Sequence, residues 1–456
     1  MDEAAQDAAN LTPLGLLFIA VMGILTFTFP RRFAVMPLLI TTAYMPLGQQ
    51  FVIAGLHFQF FRVLLLLGIC RVLSKNEGAD MFLTPLDRTF IWWGFAGILL
   101  GTFAKFGWDR FVNRTGECFN AFAAYFLFRC WIRSLEDVIK TVEVLALLIV
   151  PMALSMLVEK FTGRNIFYVL GGVPEFTAIR EGKLRCQAAF RHPILAGTYG
   201  ATLFPLFVGL WFQRRVKRWI PIAGIGASLI VAMAASSSGA LLAAIAAVIG
   251  TALWVIRCKM RLVRWGIVLT IVGLAMVMKA PVWYLIARMS DLTGGTGWHR
   301  SNLIDQAIMH FDEWWLVGST VTKHWAPNGE VFKSDPDNMD ITNNYIAEGL
   351  GGGVVRLGLF ITMIVFAFKF VGRWTKDRDA ALYSRRMFVW SMGVCLLGHC
   401  VSFVSIAYFD QIVVMWYWIL AAISMLCLLR TRSWDLMPVE SVSEPNLRVP
   451  LGAEHG

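Results

Sequence analysis

Apolar runs alternate with short charged links from one end of the chain to the other. A helix needs about 20 apolar residues to cross the hydrocarbon core of a bilayer. On that scale the runs predict helices near 14–29, 33–54, 58–73, 87–104, 117–133, 138–158, 193–212, 219–235, 239–256, 265–286, 345–369, 386–406 and 411–429. The expected fold is therefore all-α, a polytopic transmembrane bundle of about 12–14 helices. Its expected divisions are N-terminal helices over 1–158, a basic loop over 159–191, a core over 192–370, C-terminal helices over 371–432 and a disordered tail over 433–456. The acidic start (Asp2, Glu3, Asp7) lacks the basic region of a cleaved signal, so the first run reads as a retained helix.

Charge placement orients this bundle. The basic residues cluster between apolar runs, at Arg31–Arg32, Arg214–Arg218, Arg257–Arg264, Lys369–Arg378 and Arg430–Arg432. Threading the predicted helices with the N-terminus outside and the C-terminus in the cytoplasm brings all five clusters to the inner face, as the positive-inside rule requires. The net charge of +11 is thus dispersed over loops rather than gathered in a stripe, and nucleic acid is not an expected partner. Composition agrees, with 57% of residues hydrophobic and 16% charged, too apolar a chain for a water-facing surface. The eight cysteines show no ligand spacing, so no metal site or disulfide framework is expected; only a Cys118–Cys186 bridge stays open.

Two long polar loops, about 159–191 and 288–344, fall on the outer face in this scheme. The first carries Arg180, Arg185 and Arg191 against the topological trend, among other cations. In the second, Gly294–Gly297 precede an amphipathic run from His299 to Phe311, and Trp314–Trp315 follow, as suits a helix lying at the membrane–water interface. Its segment from Lys323 to Asn338 reads as irregular. Three helices start on this face, at Arg191-His192-Pro193, at His299-Arg300 and after Asp340-Ile341-Thr342-Asn343. Helix starts present free N–H groups and positive dipole ends. Together with the arginines they form a candidate bowl for a diphosphate, which a guanidinium binds as a fork. Arg62, Glu143, Arg356 and His399 fall at membrane depth, where ionisable groups are costly. Arg356 is the candidate for lining an interior cavity, and His399 reads as a packed polar residue.

The stretch Phe190-Arg191-His192-Pro193-Ile194-Leu195-Ala196-Gly197-Thr198-Tyr199 resembles the F-x-H-P-x-x-x-G-x-Y element of the O-antigen ligase and polymerase superfamily. Ser236-Ser237-Ser238-Gly239 is similar to its Ser-x-Arg-Gly turn, and His299-Arg300 with Trp314–Gly318 resembles its arginine segment. Thr342-Asn343-Asn344-Tyr345-Ile346, with Glu348 and Gly351–Gly353, resembles its H-N-x-Y-L…E-x-G…G signature. The likeness covers about 185–370. Two positions depart from it: Thr342 stands where the ligases carry histidine, and Ser238 where the turn carries arginine.

The resemblance implies cofactor-free, metal-independent glycosyl transfer at the periplasmic face of the inner membrane. The donor would be an undecaprenyl-diphosphate-linked glycan, and the acceptor a hydroxyl of a glycan or lipid. It implies diphosphate contacts from Arg191 and Arg300, with Asn343 nearby; the basic loop, the helix start and the interior position add Arg180, Arg185, His299 and Arg356 as substrate-binding candidates. Thr342 cannot act as a base near neutral pH, which leaves Asp340, His324 and His192 as candidate bases. The alternative is a transporter or flippase for a lipid-linked or anionic sugar. Such proteins often carry inverted repeats and helices broken at the midplane; no internal repeat is visible here. A scaffold role in polysaccharide export is a third reading.

Overall fold

The computed structural model describes residues 12–46, 50–53, 56–79, 81–104, 107–288, 297–326, 338–376 and 382–431. The expected Gly294–Thr296 turn, most of the irregular 323–338 segment and the 433–456 tail lie outside these residues.

The described chain is all-α apart from two short hairpins. Local sequence sets the helix starts. Thr12 caps α1 (Pro13–Thr28), with proline at its first position. Capping boxes at Thr84/Asp87 and Ser134/Asp137 open α4 (Pro85–Phe103) and α6 (Leu135–Thr162); in each, two backbone donors that the helix leaves unpaired gain partners. Between these run α2 (Val35–Tyr44), the hairpin β1 (Gln50–Ile53)–β2 (Leu56–Gln59), α3 (Phe60–Ser74) and α5 (Trp108–Trp131). The predicted helix 33–54 therefore ends at Tyr44, and Gln50–Ile53 within it is a strand. Periodicity alone does not separate a short apolar strand from a buried helix end.

The second half of the chain contains α7 (Pro193–Trp211), α8 (Trp219–Ala234), α9 (Ser238–Ala252), α10 (Met260–Val277), α11 (Gly297–Met309), α12 (Phe311–Trp314), α13 (Asn344–Leu350), α14 (Gly353–Thr375), α15 (Tyr383–Ser402) and α16 (Gln411–Thr431). Before α7 lies the hairpin β3 (Ala178–Arg180)–β4 (Lys183–Arg185). Four helical stretches are long and apolar enough to cross a membrane: Leu135–Thr162, Pro193–Trp211, Ser238–Val277 and Gly353–Thr375. Helix α7 is buried along nearly its whole length, at the centre of the core. Small residues allow this. A Cβ on Gly197 would come within 2.6 Å of Ala240 Cβ and 2.8 Å of Ala235 Cβ, so the backbones of α7 and α9 approach as closely as glycine permits. By contrast α10 buries no side chain, and Leu262, Ile267, Leu269 and Met276 stand exposed.

One buried ionic knot joins α4, α5 and α16. Arg129 donates from Nε to Asp87 Oδ1 and from Nη2 to Oδ2, both at 3.0 Å. Ser424 donates to the same carboxylate at 2.8 Å, and Tyr125 also donates to it. Such partners offset the cost of taking these charges out of water.

The predicted helix 345–369 is broken. Gly353 has φ +66°, outside the helical region, and a Cβ there would collide with the backbone of Trp315 and Leu316. The segment after α12 docks into the gap, where Val354 N–H donates to Trp315 O at 2.8 Å and Ser319 N–H to Leu350 O at 3.1 Å. Glycine there thus serves close backbone approach. All eight cysteines carry free thiols, Cys118 and Cys186 included, so the bridge left open is not made.

Candidate anion-binding site

The hairpin β3–β4 turns through Glu181-Gly182, both with positive φ (52° and 71°), as tight hairpin turns require. Its register opposes Ala178 to Arg185 and Arg180 to Lys183. Opposed residues, and residues two apart on a strand, share a face. Arg180, Lys183 and Arg185 therefore project from one face. Glu159, at the end of α6, secures the loop's return by accepting from the Gln187 and Ala188 amides at 3.1 and 2.9 Å and from Thr177 Oγ1 at 3.1 Å. Lys160, beside it, donates to Leu184 O at 2.6 Å and to Ser236 Oγ at 2.8 Å. That bond links β4 to the Ser236–Ser238 turn.

Arg300 enters the same region from α11. Its Nη1 donates to Ser238 Oγ at 3.3 Å, and its side chain is buried, with Nε lacking an acceptor. Ser238, in the turn that opens α9, thus receives an arginine from elsewhere in the chain. Among the described residues no carboxylate pairs with Arg300 or Arg185; Arg180 lies 3.9 Å from exposed Glu181, a contact of little energetic weight. The electrostatics follow. Burial, then Arg180 and Arg185, lower the pKa of Arg300; burial, then Arg180, lower that of Arg185, with Glu181 opposing. Guanidinium groups stay charged even so, so three cations share this region with exposed Glu181 offsetting them only weakly.

His192 caps α7, its Nδ1 accepting from Ile194 N–H at 3.3 Å. Burial first, then Arg185 and Arg180, hold its pKa down at about 4. The ring is therefore neutral at physiological pH, with its proton on Nε2. A ring whose free nitrogen is committed to a cap is not disposed to act as a base in this geometry.

Arg180, Arg185, Arg300 and His192 are thus brought together. Arg191 instead pairs with Asp410 at 3.7 Å on an exposed edge. Arg356 pairs with Glu348 at 2.9 Å and lies over the Trp93 ring, while Trp93 donates to Glu348 at 2.8 Å; its partners are internal. Asn343 is a helix cap, accepting from Tyr345 N–H at 2.9 Å. His299 Nε2 meets the Asp340 carbonyl at 3.0 Å, which ties Asp340 to the residue beside Arg300. His324 contacts Glu313 at 2.9 Å, away from these groups in the contact network. The anchors Glu159 and Asp410 carried no signal in the sequence, because each gains meaning only from a partner far along the chain. His399 is buried against Tyr408 Oη at 2.7 Å, a packed polar residue as expected. No family profile and no characterised protein matches the chain in sequence.

Proposed function

We propose that the chain is a multi-pass protein of the bacterial inner membrane, with periplasmic N-terminus and cytoplasmic C-terminus. It transfers a glycan from an undecaprenyl-diphosphate-linked donor to an acceptor hydroxyl in cell-surface polysaccharide synthesis. One observation carries this reading: Arg180 and Arg185 on one face of the hairpin and Arg300 from α11 come together around the Ser236–Ser238 turn, with exposed Glu181 offsetting them only weakly. Cations held together against their own repulsion suit a dianionic or trianionic ligand, and a diphosphate supplies both the charge and the oxygens for forked hydrogen bonds. The four membrane-length apolar stretches and the exposed apolar side chains supply the setting for a lipid-linked donor.

In the reaction the acceptor oxygen bonds to the anomeric carbon as the carbon–oxygen bond to phosphate breaks. The charge that develops on the leaving diphosphate is stabilised by the arginines. The acceptor's proton passes to Asp340, a candidate base whose backbone carbonyl meets the His299 ring beside Arg300. Reconstitution with a lipid-diphosphate oligosaccharide tests the reading. Glycan transfer that is lost in Arg300→Met and Arg185→Gln supports it. Movement of intact donor between leaflets without transfer would overturn it in favour of a flippase.

A further inference from the structure

The segment that follows α11 holds a second group of titratable side chains with a different character. His310 Nδ1 meets Glu313 Oε1 at 2.9 Å, and His324 Nε2 lies 2.9 Å from both oxygens of the same carboxylate. All three ligand-type atoms lie within 4.8 Å of one another. A divalent metal with bonds of about 2.1 Å and tetrahedral angles sets its ligand atoms roughly 3.4 Å apart. The present spacing, from 2.9 Å to at most 4.8 Å, brackets that value, so separations that change by roughly 0.5–1.4 Å would form the coordination shell.

The surroundings hold the three groups in place. Trp325 is fully buried, its ring stacks on His310 with centroids 5.5 Å apart, and its Nε1 donates to Glu313 Oε2 at 3.2 Å. An indole N–H on a carboxylate oxygen orients that ligand as outer partners do at metal centres. Glu313 and His324 are exposed and His310 half-exposed, which leaves solvent access for an ion and for a fourth ligand. Two imidazoles and one carboxylate with an open position are a donor set that suits zinc and its first-row neighbours. His310 lies ten residues beyond Arg300 along the same helical run, roughly 15 Å at 1.5 Å per residue, so this site is separate from the anion-binding cluster.

We propose that His310, Glu313 and His324 bind one divalent transition-metal ion, zinc or a close relative, which staples the 310–314 turn to the 323–325 turn. The metal replaces the hydrogen bonds that now join the three side chains. It fixes the turns that follow α11 and takes no part in glycan transfer.

The experiment uses the full chain in detergent, purified without a histidine tag and stripped with chelator. Zinc binding is measured by calorimetry, and cobalt substitution by visible absorption. One equivalent is expected to bind at micromolar or tighter dissociation constant, with cobalt giving the intense d–d bands of a four-coordinate site. His324→Asn and Glu313→Gln, at exposed positions, are expected to weaken binding by more than about 100-fold while the elution profile is unchanged. Failure to bind one equivalent of either ion overturns the proposal, as does undiminished binding in the His310→Asn/His324→Asn double variant. If the double variant does not fold, the single exposed substitution His324→Asn decides the matter alone.

Discussion

Replacing Arg300 by methionine removes a buried guanidinium and keeps a side chain of similar length. Three consequences follow from the geometry. The hydrogen bond to Ser238 Oγ is long, at 3.3 Å, so its loss costs about 1 kcal/mol at most. The repulsion from Arg180 and Arg185 disappears, which acts in the opposite direction. Folding stability should then change by less than about 1 kcal/mol. Anion binding should change far more. A hydrogen bond to a charged group contributes about 1.5–3 kcal/mol, and a guanidinium fork makes two to one phosphate. With Arg180 and Arg185 retained, a net loss of about 3 kcal/mol is expected, or roughly 100-fold in affinity. Pyrophosphate titration by calorimetry at fixed ionic strength, beside a thermal melt, reads both quantities from the same sample. Arg300→Lys keeps the charge without the fork and should fall between the two. Equal affinity in wild type and Arg300→Met would refute the reasoning; a collapsed melt with proportionate binding loss would make Arg300 a structural residue only.

His192 makes stability depend on pH. Its folded pKa, about 4, lies below the ordinary 6.5, so between these values the unfolded chain binds more protons. Stability is therefore whole above about pH 6.5 and falls as pH drops toward 4, by on the order of 2–3 kcal/mol. His192→Asn keeps a capping side chain and should flatten that slope in melts taken across the window, while Arg185→Gln should raise the histidine's titration midpoint by NMR; an unchanged midpoint contradicts the assigned contacts. At Gly197 an added methyl meets two others below 3.0 Å, so Gly197→Ala should cost about 1–3 kcal/mol, and an unaltered melting temperature would count against the α7–α9 packing. Asp87→Ala leaves the buried Arg129 without its carboxylate, and a loss of about 3–5 kcal/mol in denaturant unfolding is expected; a loss under about 1 kcal/mol would show that water reaches the knot.

Much of the architecture was legible before folding. The apolar runs at 14–29, 87–104 and 138–158 read directly as helices, because hydropathy is a local property of adjacent residues; the caps Thr12, Thr84 and Ser134 then set where they begin. The loop arginines and the helix start at Pro193 were equally visible, and α11 runs from Gly297, two residues ahead of the expected His299. The helical break before Gly353 was not, since its glycines serve the passage of Trp315 and Leu316 from a segment some forty residues earlier. Nor could sequence decide which cations meet. Arg191, beside the His-Pro element, turns to Asp410, whereas Arg300 reaches Ser238 across 62 positions. Residue types along the chain determined that this protein is helical, apolar and cationic in its loops. Only the tertiary structure chose which charges are neutralised and which are left facing one another, because Coulomb energy depends on distance and burial in space and not on separation along the chain.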